Sequence, residues 1–210
     1  MGLFKRFVSQ TRKPEGFLGK LMVRSMNGGH AAMADWGMSC LQSLSPAAIV
    51  ELGCGGGRNA GALLKRWPDA QVTAVDYSDV SVQKAMDYNR AAIQKGHCTV
   101  QKGDVSALAL PEKAFDLATA FETVYFWPGL ERCFAEVYRV LRPGGRFLIV
   151  NESDGTDETG KKYEQIIDGM RCYTAEELET ALRGAGFARV RVERHPGRPW
   201  LAVLAEKKTQ

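Results

Sequence analysis

A glycine-rich turn after a short apolar run constrains this chain more than any other feature. The segment IVELGCGGGR occupies residues 49–58, and Asp76 follows about 20 residues later. Gly53, Gly55 and Gly57 carry no side chain, so a ligand can approach the backbone closely. A carboxylate that ends the next strand can accept hydrogen bonds from both hydroxyls of a ribose. The spacing predicts a nucleoside-binding turn between a buried strand and a helix.

Short apolar runs alternate with helical stretches from about residue 47 onward, which is typical of a parallel sheet covered by helices. The last two strands have no helix between them, so we expect them to pair antiparallel, because a short turn cannot make a parallel crossover. The fold class predicted is α/β: a Rossmann-like, doubly wound, seven-stranded and mostly parallel sheet with an antiparallel C-terminal strand. The predicted strands are 47–52, 71–75, 98–102, 115–121, 146–150, 188–193 and 200–205. The predicted helices are 17–26, 31–44, 59–67, 79–95, 129–141 and 174–183, with 151–170 a loop containing some helix.

Composition and residue spacing exclude several other classes of protein. The net charge of +4 is mild and the basic residues are interleaved with acidic ones, which argues against a nucleic-acid partner. The five cysteines lack C-x-x-C spacing, so a disulfide framework is not expected and a reducing cytoplasm is. His30, His97 and His195 are far apart and predict no metal site. No apolar segment reaches the roughly 18 residues of a membrane span, so we expect no stable membrane insertion.

The identity of the nucleoside depends on charge at the turn. A dinucleotide fingerprint G-x-G-x-x-G fails when counted from Gly53, because position 58 is Arg, and it fits only in a shifted form from Gly55. Glu51 stands immediately before the turn, where it would repel a pyrophosphate but attract a cationic amino acid and a sulfonium. The sequence therefore favours S-adenosylmethionine (SAM) over a nicotinamide cofactor, and an NAD(P)-dependent oxidoreductase stays as an alternative.

Five segments in order resemble the motifs of class I SAM-dependent methyltransferases. They are ELGCGGG at 51–57, AVDYS at 74–78, QKGDV at 101–105, FDLATAFE at 115–122 and LRPGGRF at 141–147. The subgroup to which they are most similar is the ubiquinone- and menaquinone-biosynthesis type, with a methyltransferase domain of type 11 or 25. The resemblance implies an N-terminal helical cap over the active site at 1–46 and a SAM-binding Rossmann-like domain at 47–210. It also implies in-line methyl transfer from SAM to a small-molecule acceptor, with S-adenosylhomocysteine (SAH) as product.

The resemblance further implies a role for each matching residue. Glu51 and the turn would hold the methionine part of SAM, Asp76 would bind the ribose, and Asp104 would bind adenine. For Asp76 and Asp104 a capping role is the alternative; Tyr77 is either a flank of the adenine or surface packing, and Cys54 is expected to be a small turn residue. The implied cofactor-binding residues are Glu51, Gly53, Cys54, Gly55, Asn59, Asp76, Tyr77, Ser78, Gly103, Asp104, Val105, Phe121 and Glu122.

The acceptor side is less determined by sequence. A base is needed only when the acceptor carries a proton, and the candidates for a catalytic residue are Glu122, His30 and Tyr125. The aromatic-rich segment 123–127 forms either an acceptor wall or core packing, and residues 152–172 form either a lid or a solvated loop.

Strand four is followed by FETV, whereas family members that methylate adenine or glutamine amides carry Asn/Asp-Pro-Pro-Tyr/Phe there. A small-molecule acceptor is therefore expected, with its atom left open. A SAM-binding protein without catalysis is the other alternative, and the chain is expected to be a monomer or homodimer.

Overall fold

The computed structural model describes residues 30–42 and 44–209. Seven strands form one sheet in the order β3-β2-β1-β4-β5-β7-β6. The predicted helix 17–26 and most of the predicted cap at 1–46 lie outside the described residues. The strands are β1 Ala48–Leu52, β2 Gln71–Asp76, β3 Cys98–Lys102, β4 Phe115–Phe121, β5 Leu141–Asn151, β6 Arg189–Arg194 and β7 Leu201–Glu206.

Strand directions follow from the connections between strands. The first five strands are parallel to one another; helices connect β1 to β2, β2 to β3 and β4 to β5, whereas residues 103–114 between β3 and β4 contain no helix. Strand β7 lies between β5 and β6 and is antiparallel to both. The mostly parallel, seven-stranded sheet with antiparallel C-terminal strands is thus confirmed. The helices are α1 Ala31–Ser39, α2 Arg58–Arg66, α3 Asp79–Tyr88, α4 Arg90–Gln94, α5 Leu130–Val140, α6 Glu158–Ile166 and α7 Ala175–Gly184.

Helices cover both faces of the sheet, as buried strands require. Side chains from α1, α2 and α3, such as Met33, Leu63 and Ala85, pack on one face with alternate residues of the strands. Side chains from α5 and α7, such as Phe134 and Leu178, pack on the other. Within the described part of the chain, no helix combines the length and apolar character that a membrane span needs.

Some predicted boundaries were wrong, because contacts between residues far apart in sequence move them. The predicted helix 79–95 is two helices, because the buried Asn89 leaves helical geometry and donates side-chain hydrogen bonds to the carbonyls of Gly57 and Ala85. Residues 158–166 form a helix within the segment predicted to be a loop containing some helix, and the Asp157 carboxylate caps its N-terminus. Strand β5 begins at Leu141 rather than at 146, because it pairs with Phe115 before a register shift.

The N-terminal helix α1 fixes where residue 30 lies. The helix ends at Ser39 rather than at 44, and Gly37 lies against Val150, so closely that a side chain there would overlap that valine. The guanidinium of Arg58 at the start of α2 donates to the Asp35 carboxylate at 2.7 Å and 2.8 Å. These contacts place the first turn of α1 beside the carboxyl ends of β4 and β5.

Candidate functional site

The glycine-rich turn lies at the carboxyl end of β1, where the strand order reverses and where ligands bind in open α/β sheets. Gly53, Gly55 and Gly57 all have positive φ, at 75°, 51° and 79°. A side chain at Gly53 would overlap Thr123 and one at Gly57 would overlap Ala85, whereas the space beside Gly55 is open. The first and last glycines are therefore required by packing, and the middle one by the left-handed backbone and the cavity beside it.

Asp76 joins the end of β2 to this turn. One carboxylate oxygen accepts a hydrogen bond from the Gly55 amide and the other accepts one from the Ser78 amide, both at 2.9 Å. The side chain is nearly buried, and desolvation raises its pKa although these hydrogen bonds oppose the rise. Asp76 therefore stabilises the turn through these hydrogen bonds, as the capping role considered from sequence implies. It also lines the cavity.

A cavity of about 260 Å³ opens above the carboxyl ends of the first, second and fourth strands. It brings together most of the residues expected from sequence. These are His30, Gly53, Cys54, Gly55, Asn59, Asp76, Tyr77, Gly103, Asp104, Val105, Phe121 and Glu122. Three of the expected residues, Glu51, Ser78 and Tyr125, do not line it.

Each of those three has a different position. Glu51 is buried beneath the turn, Ser78 is the N-cap of α3 and accepts a hydrogen bond from the Ser81 amide, and Tyr125 lies in the core behind Glu122.

The environment of Glu51 makes its charge conditional, whereas the argument from sequence took a fixed negative charge. Its carboxyl is 1% exposed, and its Oε2 atom has no hydrogen-bond partner among the described residues. Burial, followed by the nearby Asp76 carboxylate, raises the pKa of Glu51 to about 8. Glu51 is therefore mostly neutral at pH 7 in the ligand-free chain, and it carries a negative charge only when pH rises or a cation favours ionisation.

The side of the cavity near β2 and β3 carries Tyr77, Asp104 and Val105. Tyr77 is 39% exposed at this side of the cavity. Asp104 accepts hydrogen bonds from the Ser106 amide and hydroxyl, each at 2.8 Å. The capping role considered from sequence is therefore present, together with a place in the cavity wall.

The opposite side of the cavity carries a cluster of titratable groups. Nδ1 of His30 lies 3.2 Å from Oε2 of Glu152 and 3.8 Å from Oε2 of Glu122. Oε1 of Glu122 accepts hydrogen bonds from the Tyr125 hydroxyl at 2.9 Å and from the Glu152 amide. Desolvation and the neighbouring Glu152 raise the pKa of Glu122 to about 7. The two carboxylates outweigh burial and raise the pKa of His30.

Sequence reasoning did not include Glu152 in the site. The signal available was its place directly after β5, at the same edge of the sheet as the turn. From the aromatic-rich segment, Thr123, Phe126 and Trp127 line the cavity. No residue of 152–172 is among the described residues that line it, although Glu152 contacts His30. The three histidines are far apart in sequence and predicted no metal site. In the fold, however, His30 lies beside two acidic residues, and potential metal-ligand atoms of His30, Glu122 and Glu152 are within 4.8 Å of one another.

Comparisons with known proteins agree with this geometry. Residues 50–149 match a family model described as a methyltransferase domain. The malonyl-[acyl-carrier protein] O-methyltransferase of Geobacter sulfurreducens is 30% identical over 174 residues, which cover 75% of this chain and 64% of that protein. The sterol 24-C-methyltransferase of Candida albicans is 27% identical over 148 residues, which cover 66% of this chain and 39% of that protein. The chain thus spans less than two thirds of the length of either relative.

Among solved structures, a chain of the complex between the Haloferax volcanii Trm112 methyltransferase activator and a methyltransferase has a TM-score of 0.80. The alignment covers 99% of both chains at 17% identity. At this identity the likeness concerns the fold, and it extends over the sheet and the helices on both of its faces.

Proposed function

Because residues 50–149 match a methyltransferase domain, we propose that the chain is a class I SAM-dependent methyltransferase, an enzyme that transfers a methyl group from SAM to a small-molecule acceptor. The observation that carries the proposal is the position of the Asp76 carboxylate. It accepts hydrogen bonds from the Gly55 and Ser78 amides and lines the cavity beside the glycine-rich turn. A carboxylate in this place suits the two hydroxyls of a ribose.

The residues present fit SAM in shape and in charge. The space beside Gly55 is open, so the methionine part of SAM can lie against the turn backbone. Glu51 and Asp76 are buried acidic groups that form no ion pair with a basic side chain among the described residues. A ligand with a positively charged sulfur and ammonium favours their ionised forms, whereas the pyrophosphate of NAD opposes them.

The remaining cofactor contacts are proposed from the cavity lining. Asp76 would bind the ribose, and Tyr77, Gly103, Asp104 and Val105 would surround the adenine. When bound, SAM supplies a methyl group on a positively charged sulfur that is displaced in line by the acceptor.

The chain's own contribution is to align the acceptor, exclude water and manage any proton the acceptor loses. Phe121, Phe126 and Trp127 supply apolar walls beside Glu122. Tyr125 donates to Glu122 and accepts from the Ser153 amide, so its hydroxyl positions the carboxylate rather than reaching the cavity. Of the three catalytic candidates, Glu122 and His30 are therefore the two that can contact an acceptor.

Two alternatives predict different ligands. An NAD(P)-dependent oxidoreductase should be stabilised by NAD or NADP and not by SAM, and a SAM-binding protein without catalysis should bind SAM and transfer nothing. The glycine turn alone allows all three, and the acidic groups beneath it favour SAM. We further infer that the protein is a monomer or homodimer that acts on a small molecule and not on a nucleic acid. We also infer a cytoplasmic location, because the five free cysteines suit a reducing compartment.

Thermal unfolding with each ligand tests the proposal. SAM and SAH are expected to raise the melting temperature, because each binds only the folded chain, while NAD and NADP leave it unchanged. Asp76→Asn, which keeps the shape of the side chain, should weaken the SAM effect. Stabilisation by NAD with no response to SAM or SAH would show that the chain is not a methyltransferase. Labelled-methyl transfer from SAM into fractionated cell extract, followed by mass analysis of the product, then identifies the acceptor and separates an enzyme from a SAM-binding protein.

A further inference from the structure

The cluster of His30, Glu122 and Glu152 is assembled from three separate elements. His30 directly precedes α1, Glu122 follows β4, and Glu152 follows β5. Oε2 of each carboxylate faces the same imidazole nitrogen, Nδ1, at 3.2 Å from Glu152 and 3.8 Å from Glu122. No lysine or arginine among the described residues forms an ion pair with either carboxylate, so His30 is the basic side chain that lies beside them there.

The backbone at Glu122 holds its side chain in this arrangement. Glu122 has φ of 57°, a left-handed conformation that is unusual for a residue other than glycine, and its amide donates to the Val150 carbonyl at 2.9 Å. Oε1 already accepts two hydrogen bonds, from the Tyr125 hydroxyl and the Glu152 amide. A backbone strained at one residue and anchored on both sides is characteristic of functional sites.

These contacts decide which of the two imidazole nitrogens of His30 carries the proton. A neutral histidine carries one proton, and a carboxylate beside one ring nitrogen favours the proton on that nitrogen. The two carboxylates lie within ion-pair distance of Nδ1 of His30, although Nδ1 makes no hydrogen bond of good geometry among the described residues. Their negative charge therefore favours the proton on Nδ1 in the neutral ring. The lone pair is then on Nε2, and His30 belongs to the wall of the cavity.

We propose that His30 is the general base of the reaction through Nε2, and that Glu152, with Glu122, positions it by holding the proton on Nδ1. This inference rests on the proposed function. It identifies Glu152 as a positioning residue and restricts the acceptor to a group that loses a proton on methylation, such as a hydroxyl of phenolic or enolic acidity. The apolar walls of Phe121, Phe126 and Trp127 suit the body of such a molecule.

The step balances without a further reactant. The acceptor oxygen forms a bond to the methyl carbon, the bond between that carbon and the sulfur breaks, and its electron pair stays on the sulfur. The hydroxyl proton moves to Nε2 of His30 and leaves later to solvent. The two carboxylates stabilise the imidazolium, and they raise the pKa of His30 and so make the neutral ring a stronger base.

Histidine NMR on the full chain tests the inference without requiring turnover. The chain has three histidines, His30, His97 and His195, so the ring signals can be assigned with a His30→Ala variant. The groups that face His30 are Glu122 from the end of β4 and Glu152 from the end of β5. In Glu152→Gln the titration midpoint of His30 should move to lower pH. In the control Glu158→Gln, an exposed residue of α6, it should not move.

The nitrogen chemical shifts of neutral His30 provide a second readout. A Nδ1–H tautomer, retained in Glu152→Asp and weakened in Glu152→Gln, is the expected result. A Nε2–H tautomer, or a midpoint that is the same in the wild type and in Glu152→Gln, would overturn the assignment. Specific broadening of the His30 signals by micromolar Mn²⁺ would overturn it in favour of a metal site. Adding SAH distinguishes a failure of the proposed function from a failure of the His30 assignment. If SAH does not bind, the proposed function is contradicted, independently of how His30 titrates.

Discussion

Glu51→Gln tests whether the buried carboxyl beneath the turn is neutral in the folded chain. Glu51 is 1% exposed and has a pKa of about 8, against 4.5 for an ordinary glutamate. A carboxyl with a raised folded pKa destabilises the fold above its unfolded pKa, because the unfolded chain can ionise it and the folded chain cannot. Stability due to this group is therefore highest below about pH 4.5, and it falls as pH rises until about pH 8.

The magnitude follows from the size of the shift. Each pH unit between the two pKa values costs about 1.4 kcal/mol of unfolding free energy. Between pH 5.5 and 8.5 the wild type should lose about 3 kcal/mol through Glu51 alone. The amide of Glu51→Gln has nearly the same shape and does not ionise, so the variant should gain that amount relative to the wild type over the same interval.

Urea unfolding of the ligand-free chain at the two pH values measures this difference. Subtracting the variant from the wild type removes contributions of other titrating groups. Glu158→Gln serves as the control for the loss of an exposed carboxylate, because the Glu158 side chain is 92% exposed. A Glu51→Gln difference that changes with pH no more than the Glu158→Gln difference would refute the conclusion that Glu51 is neutral in the ligand-free fold.

Three further predictions concern ligand binding and the turn. Asp76→Asn should weaken SAH binding by roughly 10- to 100-fold in calorimetry, since a charged acceptor of ribose hydrogen bonds is lost; unchanged affinity would contradict the ribose role. SAM should bind more tightly at about pH 7 than at about pH 5.5, a range in which its ammonium stays protonated, because the bound cation favours ionised Glu51 and binding releases protons; an enthalpy independent of the buffer's ionisation heat would argue against this. Gly55→Ala should cost about 1 kcal/mol of unfolding free energy from its φ of 51°. Gly57→Ala should cost more, because its side chain would also overlap Ala85; equal losses would be inconsistent with that packing.

The elements that sequence predicted well are those whose signal is local. A strand, a glycine turn and a carboxylate at the next strand end are fixed by spacing along the chain, and they lie together because parallel neighbouring strands end at one edge. The antiparallel pairing of the last two strands followed equally directly from the shortness of their connection. The break at Asn89 was missed because its cause, a hydrogen bond to the Gly57 carbonyl, joins residues far apart in sequence.

The chemistry of the site depended on tertiary structure. Glu51 looks like a negative charge in the sequence, and only its burial shows that it is largely neutral at pH 7. In the sequence, His30 precedes the first strand and Glu152 follows the fifth. They lie close together because α1 packs against β5. Sequence by itself therefore determined the fold and the nucleoside character of the cavity, because both follow from periodicity and spacing. Which groups ionise, and which face each other at the acceptor side, was decided by packing, because desolvation and distance exist only in the folded chain.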